Sequence, residues 1–400
     1  MDADVIVIGA GAAGLAAARS LAERSLRVVV LEARDRIGGR VWSRPPAPSA
    51  EPAELGAEFV HGRADETMSL LREARIATAG TNGESWWRGE NGELEPDDFD
   101  FLSAATLFNG ARSLPQDESV DQFLRRFAGD ASKGRAVEAA RAFVEGFDAA
   151  DPKIASVRAI EDEWNSGVDS SSTRPVGGYR PMFEHLQNVC SAAGVEILLS
   201  TSVRSISWRA GAVAVAVQSA AGGSRTIRAR AAIVTLPVGV LRQRSGDENA
   251  VTFDPELPVT KRAALGSIEM GPVVKIALAF RTPFWEQLRA GRYRRVGFFR
   301  CPGQSFAVYW TQFPLRRGSL MAWAGGPQAT ALNGASEEAL VERAVEGLGV
   351  LFSEPALVRR EFEGGIMHDW NRDPLARGAY SYVAVGGGNA RAVLAAPVDG

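Results

Sequence analysis

The tightest constraint lies at the start of the chain, where the apolar run Val5-Ile6-Val7-Ile8 ends in Gly9 and passes through Ala10-Gly11-Ala12-Ala13-Gly14 into an alanine-rich stretch reaching Leu21. A strand that is apolar at every position needs cover on both faces. A second apolar run, Arg27 to Leu31, completes strand, helix, strand, the unit in which a crossover helix joins two parallel strands. In that setting Gly9 permits the tight turn, Gly11 lets backbone approach a pyrophosphate, and Gly14 lets helix and strand pack closely. Glu32 follows the second run. A carboxylate there accepts both hydroxyls of an adenosine ribose and repels a 2′-phosphate, which disfavours NADP. The fold class is therefore read as α/β, a doubly wound, Rossmann-like nucleotide-binding domain.

The next segment, Leu31-Glu32-Ala33-Arg34-Asp35-Arg36-Ile37-Gly38-Gly39-Arg40, separates FAD from NAD. Gly38 and Gly39 allow a second close backbone approach, and Arg40 places a fixed cation beside it, which suits a diphosphate or a flavin edge.

The rest of the chain adds a second texture. The pattern is helical from about 66 to 165, with Val137, Ala140, Val144 and Phe147 on one face. Ser170 to Pro175 reads as a connection. Short β-like runs follow at Val195–Leu199, Val203–Trp208, Val213–Val217 and Ile227–Val234, and an antiparallel block runs from Val273 to Ala324. Ser336 caps a helix that reaches Phe352. Two interleaved domains are expected: FAD-binding over 1–68, 174–258 and 379–400, and an α+β substrate domain over 69–173 and 259–378.

Lys and Arg number 45 against 48 Asp and Glu, a net charge of −3 without long runs of either sign, so neither nucleic acid nor an anionic membrane surface is an expected partner. The most apolar stretch, Val5 to Ala18, is shorter than the ~18–20 residues that a bilayer crossing needs. Cys190 and Cys301 stand in no metal or redox spacing, and His61, His185 and His368 are not paired at ligand spacing, so no metal site is expected. This cysteine usage fits a reducing compartment, and a cytoplasmic location is expected.

In Val273-Val274-Lys275-Ile276-Ala277-Leu278-Ala279-Phe280 the period of two sets Val274, Ile276, Leu278 and Phe280 on one face. Lys275 shares the other with Val273, Ala277 and Ala279, which leaves room for a ligand or water. A lysine in so apolar a strand must reach solvent or be held by polar partners.

Together with Glu54-Leu55-Gly56-Ala57-Glu58-Phe59-Val60-His61-Gly62, Gly177-Gly178-Tyr179, Thr235-Leu236-Pro237-Val238-Gly239-Val240-Leu241, Trp370-Asn371-Arg372-Asp373-Pro374 and Gly378-Ala379-Tyr380-Ser381-Tyr382, these motifs give a chain that resembles the flavin-dependent amine oxidases along nearly its whole length. The resemblance implies that Glu32 holds the ribose of FAD, that Arg34 and Arg40 line the adenosine and diphosphate, that Gly56 and Ala57 meet the flavin ring, and that the Val203 main chain contacts adenine. It implies that Lys275 is bonded through water to flavin N5, that Tyr380 is one wall of an aromatic substrate cage with Trp370 in the same signature, and that His61 stands near the flavin as a base. Aromatic faces suit an amine.

The implied reaction is oxidation of an amine C–N bond to an imine, which hydrolyses, with O2 reduced to hydrogen peroxide. Two other readings stay open. An L-amino acid oxidase needs an arginine clamp, and Glu58-Phe59-Val60 stands where that branch often has one; a catalytically dead flavoprotein fold would act by binding. A carbon–carbon desaturase is disfavoured by Lys275 and the Gly-Ala-Tyr element. In the family, a strand and helix that contact the flavin diphosphate and ribityl chain follow the position of Gly400. The expectation is that a further C-terminal segment or a second chain completes the FAD site, and that residues 1–400 alone hold FAD below one equivalent.

Overall fold

The computed structural model describes residues 1–97, 101–167, 172–244, 246–247 and 249–398. Its first layer is a four-stranded parallel sheet in the order Glu196–Leu198, Val28–Leu31, Val5–Ile8, Ala231–Val234. Side-chain alternation divides its core. Val7, Val28 and Val30 pack under the helices Ala12–Ala22 and Arg180–Ala192, meeting Leu15, Ala18, Phe183 and Leu186. Ile6, Ile8, Val29 and Leu31 point the other way, onto Val203, Ile206, Val215 and Val217 of an antiparallel meander. Both faces of the all-apolar strand are thus covered, as its composition requires.

The run Ile227 to Val234, read as one strand, is two. Ser224–Ala229 closes the meander, whereas Ala231–Val234 is an edge of the parallel sheet. Exposed Arg230 makes the crossing, its amide donating to the carbonyl of Asp4 at 3.1 Å. A charged residue interrupting an apolar run marks where the chain leaves one layer for the other.

The stretch from about 66 is not helical throughout. After the helix Asp65–Glu73 come the strands Thr78–Gly80, Glu84–Arg88 and Leu94–Pro96. The last two extend a seven-stranded mixed sheet whose order is Phe362–Met367, Val273–Phe280, Ser319–Gly325, Val308–Thr311, Val296–Arg300, Glu84–Arg88, Leu94–Pro96. Buried Trp86, edge-on to Tyr293 at 5.2 Å, anchors that extension. Within the Val273–Ala324 block the strands pair antiparallel, as read from the sequence, and the sheet becomes mixed only where Val296–Arg300 meets Glu84–Arg88 in parallel. The helical core proper gathers Phe101, Phe108, Phe123, Ala140, Val144, Ile160 and Trp164.

The segment read as a connection is also structured. Ser172–Pro175 is a strand between Val60–His61 and Thr78–Gly80, while Ser170 and Ser171 lie outside the described residues. Ser336 does cap its helix, Glu337–Phe352, by accepting the Ala339 amide at 3.2 Å. Near the end of the chain, Tyr380–Val383 pairs with Ile268–Gly271, and the helix Ala390–Ala395 packs on Val259–Gly266. There buried Lys261 donates from Nζ to the carbonyls of Val393 at 2.7 Å, Leu394 at 2.9 Å and Ala396, so one ammonium satisfies the open end of the last helix.

Candidate active site

At the carboxyl ends of the first two parallel strands lies a cavity of about 340 Å³, within the size range of small-molecule sites. Gly9, Gly11, Glu32, Arg34, Gly38, Gly39, Arg40, Ala57 and Val203 line it, joined by Thr235 and Leu236. Gly9 has φ of +105°, and Gly38 and Gly39 have φ of +95° and +56°, conformations that side chains disfavour. The helix behind Gly11 has no side-chain cap and no acid in its first turn, so its amides and dipole are left for an anion. A Cβ on Gly39 would stand 3.5 Å from the Cα of Gly11: the two glycine loops face each other.

Three of the expected contacts, Gly14, Gly56 and Trp370, stand behind the cavity wall. A Cβ on Gly14 would lie 1.8 Å from the carbonyl oxygen of Gly9, the close helix-to-strand approach read from the sequence. Trp370 is buried and donates from Nε1 to the Leu55 carbonyl at 2.8 Å, and a Cβ on Gly56 would lie 3.3 Å from its ring. Trp370 therefore supports the Leu55–Gly56 backbone from outside the cavity.

The charged groups are tied down. Glu32 accepts the Ala10 amide at 2.8 Å and the Arg34 amide at 2.9 Å. Arg34 pairs with Asp373 at 2.8 Å, and Arg40 donates to the Ala379 carbonyl at 2.6 Å. Arg36 donates to the carbonyls of Ile37, Gly39 and Val41, fixing the second glycine loop; burial and the neighbouring Arg34 charge pull its guanidinium down to about 10.

The faces assigned to the lysine strand hold. Val274, Ile276, Leu278 and Phe280 enter one core, and Ala277 joins Leu55, Trp310 and Met321 in another. Lys275, only 3% exposed, is held by polar partners, one of the two alternatives for a lysine in so apolar a strand. Its Nζ donates to Glu58 Oε2 at 2.7 Å and to the Gly56 carbonyl at 3.0 Å, because a buried ammonium needs fixed acceptors. Glu58 in turn accepts from Trp310 Nε1 at 3.1 Å and Gln312 Nε2 at 3.1 Å, with Arg174 at 3.5 Å. Burial alone would push the Glu58 carboxyl up; the Lys275 and Arg174 charges and the hydrogen bonds outweigh it and hold it below the ordinary range.

A row of rings continues from this cluster, with Trp310 buried and Phe59, His61, Phe147 and Trp323 half-buried. Phe59 meets His61 at 5.7 Å and Trp310 at 5.6 Å, His61 meets Phe147 edge-on at 4.9 Å, Trp310 meets Trp323 at 5.7 Å, and Trp323 meets Tyr380 edge-on at 6.0 Å. Tyr380 is 42% exposed. The Gly56–Ala57 stretch thus joins two regions: Ala57 lines the cavity, while the Gly56 carbonyl receives Lys275 beside the aromatic row.

A sequence model described as flavin containing amine oxidoreductase matches residues 12–400. The chain belongs to that family. Among relatives of the chain, lysine-specific histone demethylase 2 from Homo sapiens is 26% identical over 99% of the chain and 49% of its own length. Probable polyamine oxidase 4 from Arabidopsis thaliana is 29% identical over 96% of the chain and 77% of its own length. The chain spans about half the length of the demethylase relatives. Among solved structures, putrescine oxidase bound to putrescine superposes with a TM-score of 0.80 at 21% identity, covering 100% of this chain and 92% of that one. Cyclohexylamine oxidase from Brevibacterium oxydans gives 0.80 at 19% with the same coverage. At these identities the two structures establish the fold of the chain, an α/β half joined to a mixed sheet.

Sequence reasoning missed Glu58, Arg174, Trp310 and Gln312. The signal for Glu58 was a carboxylate in the apolar segment Leu55 to Val60, the counter-ion that a buried Lys275 demands. Arg174 and Gln312 reach the site only through tertiary pairing, which leaves no local pattern.

Proposed function

We propose that this chain binds FAD in the cavity at the glycine loops and oxidises the C–N bond of a small-molecule amine, with O2 returned as hydrogen peroxide. The supporting observation is the Gly56–Ala57 stretch: Ala57 lines the nucleotide cavity, and the Gly56 carbonyl holds the Lys275 ammonium beside a row of aromatic rings that runs from buried Trp310 to exposed Tyr380. The residues fit FAD: an uncapped helix start and two facing glycine loops for the diphosphate, and Glu32 for the ribose. When bound, FAD supplies a two-electron acceptor. The chain's own groups shape and dry the site. Phe59, Phe147, Trp323 and Tyr380 offer apolar surface and negative ring faces to an amine, and Lys275 presents a fixed positive charge. The balance is one amine, O2 and water giving a carbonyl product, ammonia or a smaller amine, and hydrogen peroxide.

A second reading, oxidation of an amino acid, draws support from Arg174, whose guanidinium lies 4.9 Å over the Phe59 ring with Nε unbonded. A substrate carboxylate needs a guanidinium of this kind, though this one is buried and already meets Glu58 and the Thr311 carbonyl. The test is to reconstitute the chain with FAD, measure the flavin-to-protein ratio after gel filtration, and run a peroxide-coupled screen across monoamines, polyamines and amino acids. Bound flavin with peroxide formed only from amines supports the first reading, and peroxide only from amino acids supports the second. A colourless protein with no peroxide sinks both. Lys275→Met is expected to keep flavin and slow turnover at least tenfold; wild-type rates would remove Lys275 from the chemistry.

A further inference from the structure

An ammonium carries three hydrogens and a carboxylate about four acceptor sites, and counting them at Lys275 and Glu58 gives unequal results. Lys275 spends one hydrogen on Glu58 Oε2 and one on the Gly56 carbonyl, and the third has no acceptor among the described residues. Glu58 is saturated: Oε2 takes Lys275 and Trp310, and Oε1 takes Trp310, Gln312 and the Arg174 charge. Nothing is left on Glu58 for a substrate proton. We propose that Glu58 is a positioning residue for the oxidation reaction: it pins the Lys275 ammonium against the Gly56 carbonyl, so that Lys275 serves as a fixed cation with one free hydrogen and not as a base.

This inference rests on the amine-oxidation reading and deepens it. Two cations, Lys275 and Arg174, share the Glu58 carboxylate; the other carboxyl within their reach, Glu54, is bonded to the Ser43 hydroxyl and the Tyr179 amide, and burial pushes it towards its neutral form. Removing the Glu58 carboxylate leaves two like charges facing each other in a buried place, so Lys275 loses both its fixed position and its reason to stay protonated. A gap filled by Glu58 for packing alone would not couple its substitution to Lys275.

The experiment is a cycle on the FAD-loaded chain: wild type, Glu58→Gln, Lys275→Met and the double variant. Each is followed by anaerobic flavin bleaching with the best amine of the screen and by a titration of the visible flavin band from pH 6 to 10 without amine. Expected are a tenfold or greater loss of bleaching rate in each single variant, no further loss in the double, and a band titration present in E58Q but absent from wild type and from the double variant. Multiplying rate losses, or an E58Q protein within twofold of wild type with an unchanged titration, overturn the proposal.

The titration needs no turnover, so a flavoprotein that bleaches with no amine counts against the amine-oxidation reading while the band still decides the role of Glu58. Should E58Q not fold, Glu58→Asp keeps the charge on a shorter stem. It is expected to slow bleaching, or move the band, only where Lys275 is present, and an equal effect in the Lys275→Met background overturns the inference. Should no variant hold flavin, the thermal midpoints of the same set decide. K275M is then expected to recover part of the midpoint lost in E58Q, and additive losses count against the pairing.

Discussion

Glu32 takes the amide hydrogen of Ala10 at 2.8 Å, tying the end of one parallel strand to the glycine turn of its neighbour. Its other oxygen holds the Arg34 amide at 2.9 Å. The residue expected to grip a ribose thus also sets the shape of the cavity rim. Glu32→Ala is expected to lower flavin retention after gel filtration and to cost the flavin-free chain about 1–3 kcal/mol, since two amides lose their acceptor. An unchanged melting point in the flavin-free chain would confine Glu32 to the ligand.

The glycines of the first turn separate fold from binding. A Cβ on Gly14 would lie 1.8 Å from the Gly9 carbonyl oxygen, whereas one on Gly11 meets nothing nearer than the Gly39 Cα at 4.0 Å. Gly14→Ala is therefore expected to destabilise by about 3 kcal/mol or more. Gly11→Ala should melt within about 0.5 kcal/mol of wild type yet lose flavin, because its methyl group enters the space for the diphosphate. Denaturant melts and flavin content of the two variants decide this. Equal stability losses would show that the space at Gly11 is needed by the fold itself.

Asp148 supplies the pH test. It is buried, and Trp164 donates to its Oδ2 from Nε1 at 3.0 Å. Burial first, and then the Glu163 carboxylate, push its carboxyl well above the ordinary range, with the Trp164 bond opposing. Above the unfolded carboxyl value of ~3.9 the native state therefore binds more protons than the unfolded chain, so this group makes stability fall as pH rises towards its folded pKa. Asp148→Asn keeps an acceptor for Trp164 and removes the charge. Its thermal midpoint should exceed wild type at pH 7–8, with the gain shrinking towards pH 4. A difference that does not change with pH would show that Asp148 is ionised in the fold.

Lys261 fixes the end of the last helix through the carbonyls of Val393, Leu394 and Ala396. Lys261→Met keeps the stem and removes the donors. Hydrogen exchange at Ala390–Ala395 is expected to quicken at least tenfold while the parallel sheet keeps its protection. Uniform quickening across the chain would mean that this clamp is part of global stability.

What the sequence disclosed followed the range of the interactions concerned. The turn from Gly9 to Gly14, the paired faces of Val273–Phe280 and the Ser336 cap are set by neighbours a few residues away, and all were legible. The partner of Lys275 was half legible: the need for a buried counter-ion was physical, but its identity depended on how far Glu58 stands from Lys275 in the fold. Arg174 and Gln312 left no trace, since their roles exist only once the Ser172–Pro175 and Val308–Thr311 strands are brought up to Glu58. Strands Glu84–Arg88 and Leu94–Pro96 escaped notice for the same reason, being stabilised by a sheet assembled from the other half of the chain.

The cavity wall is stitched from stretches far apart in the chain, around Gly9, Glu32, Gly39, Ala57, Val203, Thr235 and Leu375. Whatever fills it acts as a reversible crosslink. At a thousand times its dissociation constant, such a ligand adds about 4 kcal/mol to the folded state, a large share of the ~5–15 kcal/mol that keeps a typical domain folded. Supply of the ligand then governs how long the chain survives proteolysis, and a cell short of it would lose the protein as well as its activity.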